Sequence, residues 1–181
     1  MVTVTLRPNA NGAIIGLTPY PATLANWDCV DEAVANDAVD YVWIPDSPNF
    51  LSLRDFYLKP ASGIPAGSMI NSVTHYRRIR YRGFTYGSLY ITGNVYDFDG
   101  ARVLAAWTTR AYTLTTSPAT GAPWTLAEVE NMQVGVRLDN VYDPIAEMYV
   151  SPLCTQVYIV VDYTPPVAVR FAGDGLAWVV A

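Results

Sequence analysis

An all-β domain is what this sequence of 181 residues predicts, on three observations. Val and Thr are frequent and aromatics abundant, with 13 Tyr and 5 Trp, side chains that suit a pleated, half-buried surface. Thirteen Pro and 12 Gly punctuate the chain often enough to close many tight turns. Runs of period-two alternation recur between those turns, while helical spacing is confined to two brief segments. A chain of this length buries roughly 70% of the surface that its unfolded form exposes, so one core is the default.

The elements follow in order. "VTVTL" at 2–6 alternates and stops at the turn residues "RPNANG". "AIIGLTPYP" at 13–21 is a short strand ended by prolines. In "LANWDCVDEAVAND" at 24–37, Leu24, Trp27, Val30 and Val34 fall at helical spacing, which predicts a short helix or helical loop. "DYVWI" and "LRDFYLKP" are strands separated by the turn "PDSPNF". From Ser68 to Arg82 the chain is extended with neither face cleanly apolar, which predicts a bulge or an edge position. "GSLYITGNVYDFDG", "ARVLAAWTT" and "RAYTLTT" give three further strands.

A second helical segment opens at "PWTLAEVENM". Thr125 with Glu128 makes a capping box, and Leu126, Val129 and Met132 share one face. Two turns of helix are too short to stand alone, so this one plugs an end of the sheet stack where the chain crosses between sheets. "QVGVRL" and "CTQVYIVVDY" are strong strands, and the second is covered on both faces. Residues 166–181 form an apolar hairpin about Gly173-Asp174-Gly175, set apart from a domain at 1–165.

The composition excludes several classes of function. A formal net charge of -5 disfavours general nucleic-acid binding, and no apolar run reaches the ~20 residues that span a bilayer. The start has no signal-peptide pattern, which predicts a soluble protein made in the cytoplasm without secretion. Cys29 and Cys154 are expected as reduced, buried thiols, with one bridge as the alternative. His75 is the single histidine and sits beside Arg77 and Arg78, surroundings that disfavour its protonated form, so a structural role is expected. No Cys-x-x-Cys or phosphate loop is present. Asp97 and Asp99 in "YDFDG" open like a calcium loop but lack its distal ligands, so a β-turn is expected there, and Asp139 and Asp143 are likewise expected as turn residues. Catalytic residues, metal and cofactor are therefore none in this reading, and the protein is expected not to be an enzyme.

"HYRRIRYRG" is the sharpest charge feature. Arg77, Arg78, Arg80 and Arg82 hold four of the 11 basic residues, interleaved with Tyr76 and Tyr81. Such a strand suits an acidic protein surface, a phosphate backbone, or a solvated edge that blocks aggregation. The hairpin offers Val167, Val169, Phe171, Leu176, Trp178 and Val180 as apolar anchors for a neighbour.

From Leu6 to Pro165 the chain carries, in order, "LRPN", "IPAGSMINSV", "TTSPATGAPWTLAEVENMQVGVRL" and "CTQVYIVVDYTP". This pattern of turns and strands resembles β-sandwich structural proteins of tailed bacteriophages. The resemblance implies a jelly-roll-like β-sandwich; with the elements read above, the expected fold is an antiparallel, jelly-roll-like β-sandwich with one or two short helices and a C-terminal β-hairpin. It implies a non-enzymatic virion component, a capsid decoration or fibre protein. Its partners would be other virion proteins, the major capsid protein or fibre subunits, and its own copies, a trimer among the options. No active site is transferred. The alternative is a carbohydrate-binding module of a phage fibre or receptor-binding protein, using exposed Tyr and Trp. The basic strand and the closing hairpin depart from the pattern.

Overall fold

Two antiparallel sheets face each other across one core, in a computed structural model that describes residues 2–37, 39–103, 105–167, 169–171 and 178–180. In chain order the strands are β1 (Val2–Leu6), β2 (Ala10–Ile15), β3 (Thr18–Tyr20), β4 (Tyr41–Trp43), β5 (Ser52–Leu58), β6 (Met69–Arg80), β7 (Gly83–Ile91) and β8 (Asn94–Val103). They continue with β9 (Thr108–Leu114), β10 (Gln133–Asp139), β11 (Val141–Asp143), β12 (Met148–Val150), β13 (Leu153–Thr164), β14 (Val169–Phe171) and β15 (Trp178–Val180). A 3-10 turn spans Trp27–Cys29 and helix α1 spans Leu126–Asn131.

One sheet runs β3-β4-β13-β6-β9, with β1 pairing further along β13, and the other runs β2-β5-β10-β7-β8. The chain crosses between sheets at nearly every connection from β4 onward, so β4-β13-β6-β9 faces β5-β10-β7-β8. That is the eight-stranded arrangement of a jelly roll. Alternation explains the core. Val73, Ile79, Val157, Ile159 and Val161 come from one sheet, and Leu89, Ile91, Val134, Val136 and Leu138 from the other. Each such burial contributes about 1.5–3 kcal/mol.

Helix α1 links the two sheets between β9 and β10. Thr125 Oγ1 accepts from the Glu128 N–H at 3.2 Å and Glu128 Oε2 accepts from the Thr125 N–H at 2.9 Å, so the capping box is formed. Val129 and Met132 are buried, and the Trp124 indole N–H donates to the Leu114 carbonyl. A buried carboxylate does similar work where the chain passes from β2 to β3. Asp55 accepts from the N–H groups of Gly16 and Leu17, from Asn26 Nδ2 and from the Tyr57 hydroxyl, pinning the β2–β3 link to β5.

Several expectations are corrected. Of the short helix or helical loop expected at 24–37, the structure holds the 3-10 turn at Trp27–Cys29, with Val30 buried after it and Val34 exposed. "GSLYITGNVYDFDG" is not one strand but the turn-linked ends of β7 and β8, broken at Thr92 and Gly93, both at positive φ. "YDFDG" is therefore mid-strand and not a turn, while "ARVLAAWTT" divides between β8 and β9. β6 carries the expected bulge, at the register shift opposite Asp162 and Tyr163, but it is not an edge strand: β13 and β9 flank it.

Candidate functional site

Two surfaces and one buried polar cluster stand out. The first surface is the end of the sandwich where connections between the sheets gather. There Asn140 accepts from the Leu51 N–H and donates to the Asn49 carbonyl, tying the β4–β5 connection to the segment after β10. Arg82, between β6 and β7, pairs with Asp143 of β11, and Arg80 Nε donates to the Ala105 carbonyl at 3.0 Å. Asp143 also accepts from the Ile145 and Ala146 N–H groups, and these contacts hold its carboxyl below the ordinary carboxylate range.

The β11–β12 hairpin projects from this end. Tyr142 and Tyr149 lie opposite each other with ring centroids 5.4 Å apart, and Phe50 meets Tyr149 edge-on at 6.5 Å. Ile145, near the tip, is 89% exposed, and Phe50, Tyr142, Tyr81 and Phe84 are exposed as well. A cluster of large apolar groups left in solvent points to contact with something else. Beside it Tyr81 sits at φ 79°, a region that strains a bulky side chain by about 1–3 kcal/mol.

The arginine strand divides by its alternation. Arg77 is fully buried: Nε donates to Thr85 Oγ1 at 3.2 Å, and Nη2 donates to the Asp99 carbonyl and to Asp99 Oδ2 at 3.1 Å. It is thus not a surface contact, because β6 is an inner strand and its 73-75-77-79 face looks into the sandwich. Asp99 reaches it from a register break in β8, where its own φ is 51°. Burial lowers the Arg77 pKa while Asp99 acts against that. Arg78 forks onto Asp37 and donates to Thr109 Oγ1, and Arg80 lies over the Trp107 ring at 5.8 Å. The side chain of Arg82 is 59% exposed. The four arginines are therefore not a common basic patch: one is interior and two are paired with acids at the surface.

His75 belongs to the buried cluster. Its Nε2 lies 2.8 Å from the Gly135 carbonyl, which makes Nε2 the donor, and its ring meets Phe98 edge-on at 5.3 Å. Burial, then the neighbouring Arg77 charge, pushes its pKa down to about 3. The ring bridges β6 to β10 as a neutral group, a structural role. Cys29 and Cys154 are free and buried, and burial pushes both thiols up to about 12. Asp97 pairs with Arg54 and Arg137, and Asp139 pairs with Arg137 and accepts from Ser52, all across the outer face of the second sheet. Asp139 ends β10 and is a strand terminus, whereas Asp143 ends β11 and its carboxylate closes the following turn, as a turn residue does. Among the described residues no group of three or more His, Cys, Asp or Glu is placed to hold a metal.

The closing hairpin pairs Val169 with Val180, Arg170 with Val179 and Phe171 with Trp178, and forms a two-stranded sheet of its own. Val167 is exposed. Leu176 lies outside the described residues, as do the side chains of Val169, Phe171, Trp178 and Val180. The aromatic end escaped sequence reading because "LDNVYDPIAEMYV" has turn chemistry throughout. Its signal was the pair Tyr142 and Tyr149, spaced evenly about Ile145–Ala146. No known protein-family model matches this chain, and no curated protein matches it.

Proposed function

We propose that this chain is a non-enzymatic structural protein of a virion, a capsid decoration or fibre component that acts through protein–protein contacts. The observation that carries the reading is the jelly-roll strand order, which gives a rigid two-sheet body, together with an end that leaves Phe50, Tyr142 and Ile145 in solvent. The run of turn and strand motifs from Leu6 to Pro165 supports it. Contacts of this kind stabilise an assembled state by mass action, because the ligand binds only that state. The C-terminal hairpin and the surface arginines Arg78, Arg80 and Arg82 are the further contact candidates, toward capsid or fibre subunits or toward copies of this chain.

The test is compositional. Density-purified particles from a culture carrying this gene are digested and analysed by mass spectrometry. Peptides of this chain at stoichiometric abundance are expected, together with their loss when the chain ends at Pro166. Particles devoid of the chain would overturn the reading. The aromatic end also favours a second reading, a carbohydrate-binding module of a fibre, because tyrosine rings in solvent can stack on sugars. Reproducible glycan-array binding that disappears with Tyr142→Ala or Tyr149→Ala would shift the assignment to that reading.

A further inference from the structure

Edge strands leave a row of backbone N–H and C=O groups without partners, and they template the addition of another strand unless something blocks them. In the described structure β1, β2, β3, β8 and β9 each have a free side. Four of these are short or interrupted. β3 is three residues long and contains Pro19, which has no donor to offer. β2 breaks register between Asn11 and Ile15. β8 breaks register where Asp99 turns inward to Arg77. β1 has five residues, none charged or aromatic, and stops before Arg7 and Pro8. β9 carries one charge, Arg110, and none of the other devices. It runs seven residues without a proline, an acid or a register break against β6, and Thr108 through Thr113 are all exposed.

The sequence of β9 is complementary to itself. Antiparallel pairing of two copies about a two-fold axis at Ala111 sets Ala111 against Ala111, Thr109 against Thr113, and Arg110 against Tyr112, the last two pairs occurring twice. Opposed threonines and a cation over an aromatic ring are both favourable cross-strand pairs. The parts are already in place. Tyr112 is held by its stack on Phe98, with centroids 5.3 Å apart. Arg110 lies opposite the buried Arg77 in register and makes no ion pair among the described residues. A ring supplied by a second copy gives that cation a partner.

We propose that this chain forms a two-fold dimer by antiparallel pairing of β9 with β9 of a second copy, in the register centred on Ala111, so that one sheet runs through both molecules. The contact is separate from the C-terminal hairpin and goes beyond the virion reading, since it holds whatever else the protein binds.

The test uses the full-length chain. Sedimentation is expected to give twice the 19.9 kDa mass of the monomer. Ala111→Cys places two thiols at directly opposed positions, where Cα atoms lie about 4.5–5.5 Å apart, within disulfide reach. Mild oxidation should then convert nearly all of it to a covalent dimer. Thr108→Cys is the control, because its two copies would be about 20 Å apart along the strands and should stay reduced. The native cysteines are buried and do not compete. Ala111→Lys opposes two ammonium groups and should give a folded monomer. A monomeric native chain, equal cross-linking at 108 and 111, or cross-linking through Val4→Cys in place of Ala111→Cys, which would put the interface on β1, each overturns the proposal. If Ala111→Lys fails to fold, the cysteine pair decides alone.

Discussion

Replacing Asp99 with Asn removes the counter-charge of Arg77 while keeping a side chain that tolerates positive φ. Arg77 is 0% exposed and Asp99 is 25% exposed, so one member of the pair is dry and the other touches solvent. Breaking a fully buried pair costs about 3–5 kcal/mol, mostly as the penalty of stranding a charge. Here the Asp99 carbonyl and Thr85 still accept from the guanidinium, and water reaches the carboxylate. The expected cost of Asp99→Asn is therefore about 2–3 kcal/mol. For a domain of this size that lowers Tm by about 4–12 °C. Arg77→Met behaves differently. It removes the desolvated charge, fills similar volume with apolar atoms, and frees Asp99 to face solvent, so stability should stay within about 1 kcal/mol of the native chain. Urea unfolding at pH 7, followed by the fluorescence of the five tryptophans, measures both. If Arg77→Met costs as much as Asp99→Asn, the buried pair is a net source of stability and the argument fails.

Three other outcomes follow from the same structure. His75 has its pKa lowered from 6.5 to about 3, so as pH falls below about 6.5 the unfolded chain takes up a proton that the folded one refuses. Stability from this group is lost between those values at up to about 1.4 kcal/mol per pH unit, and His75→Gln should flatten that part of the pH profile of urea midpoints. Thr125→Ala removes the cap of α1 and should cost about 1 kcal/mol, with Glu128→Ala adding less on top than it costs alone, because both break one capping box. Both thiols should stay silent to a thiol-titrating reagent in the native protein and react together in denaturant; a fast-reacting thiol in the native state would contradict their burial.

Local rules carried much of the fold. The capping box at Thr125 and Glu128, the strands at 2–6, 133–138 and 154–163, and the inward face of α1 were all legible, because each depends on residues within one or two turns of each other. What escaped was set by neighbours in space. Residues 70–82 carry charge on both faces, which suggested an edge. The structure makes it an inner strand between β13 and β9, and Asp99, 22 positions after Arg77, neutralises the buried arginine from the opposite sheet. The four arginines looked like one surface for the same reason: spacing does not reveal that Asp37 and Asp143 come back to hold Arg78 and Arg82. The aromatic end is assembled from Phe50, Tyr142 and Tyr149, of which only the last two share a local hairpin.

By itself the sequence determined the class of the protein: alternation and turn chemistry call for strands, and one capping box calls for the helix between them. The tertiary structure decided which strands are central and which are edges, and so which charges are interior and which side chains meet solvent. The physical reason is that alternation assigns a residue to one of two faces, but only pairing across the sheet and packing across the sandwich determine what each face meets. β9 illustrates both halves. Its strand character is visible in "RAYTLTT", yet its free side, on which the dimer rests, exists only because β6 is its sole neighbour in the described sheet.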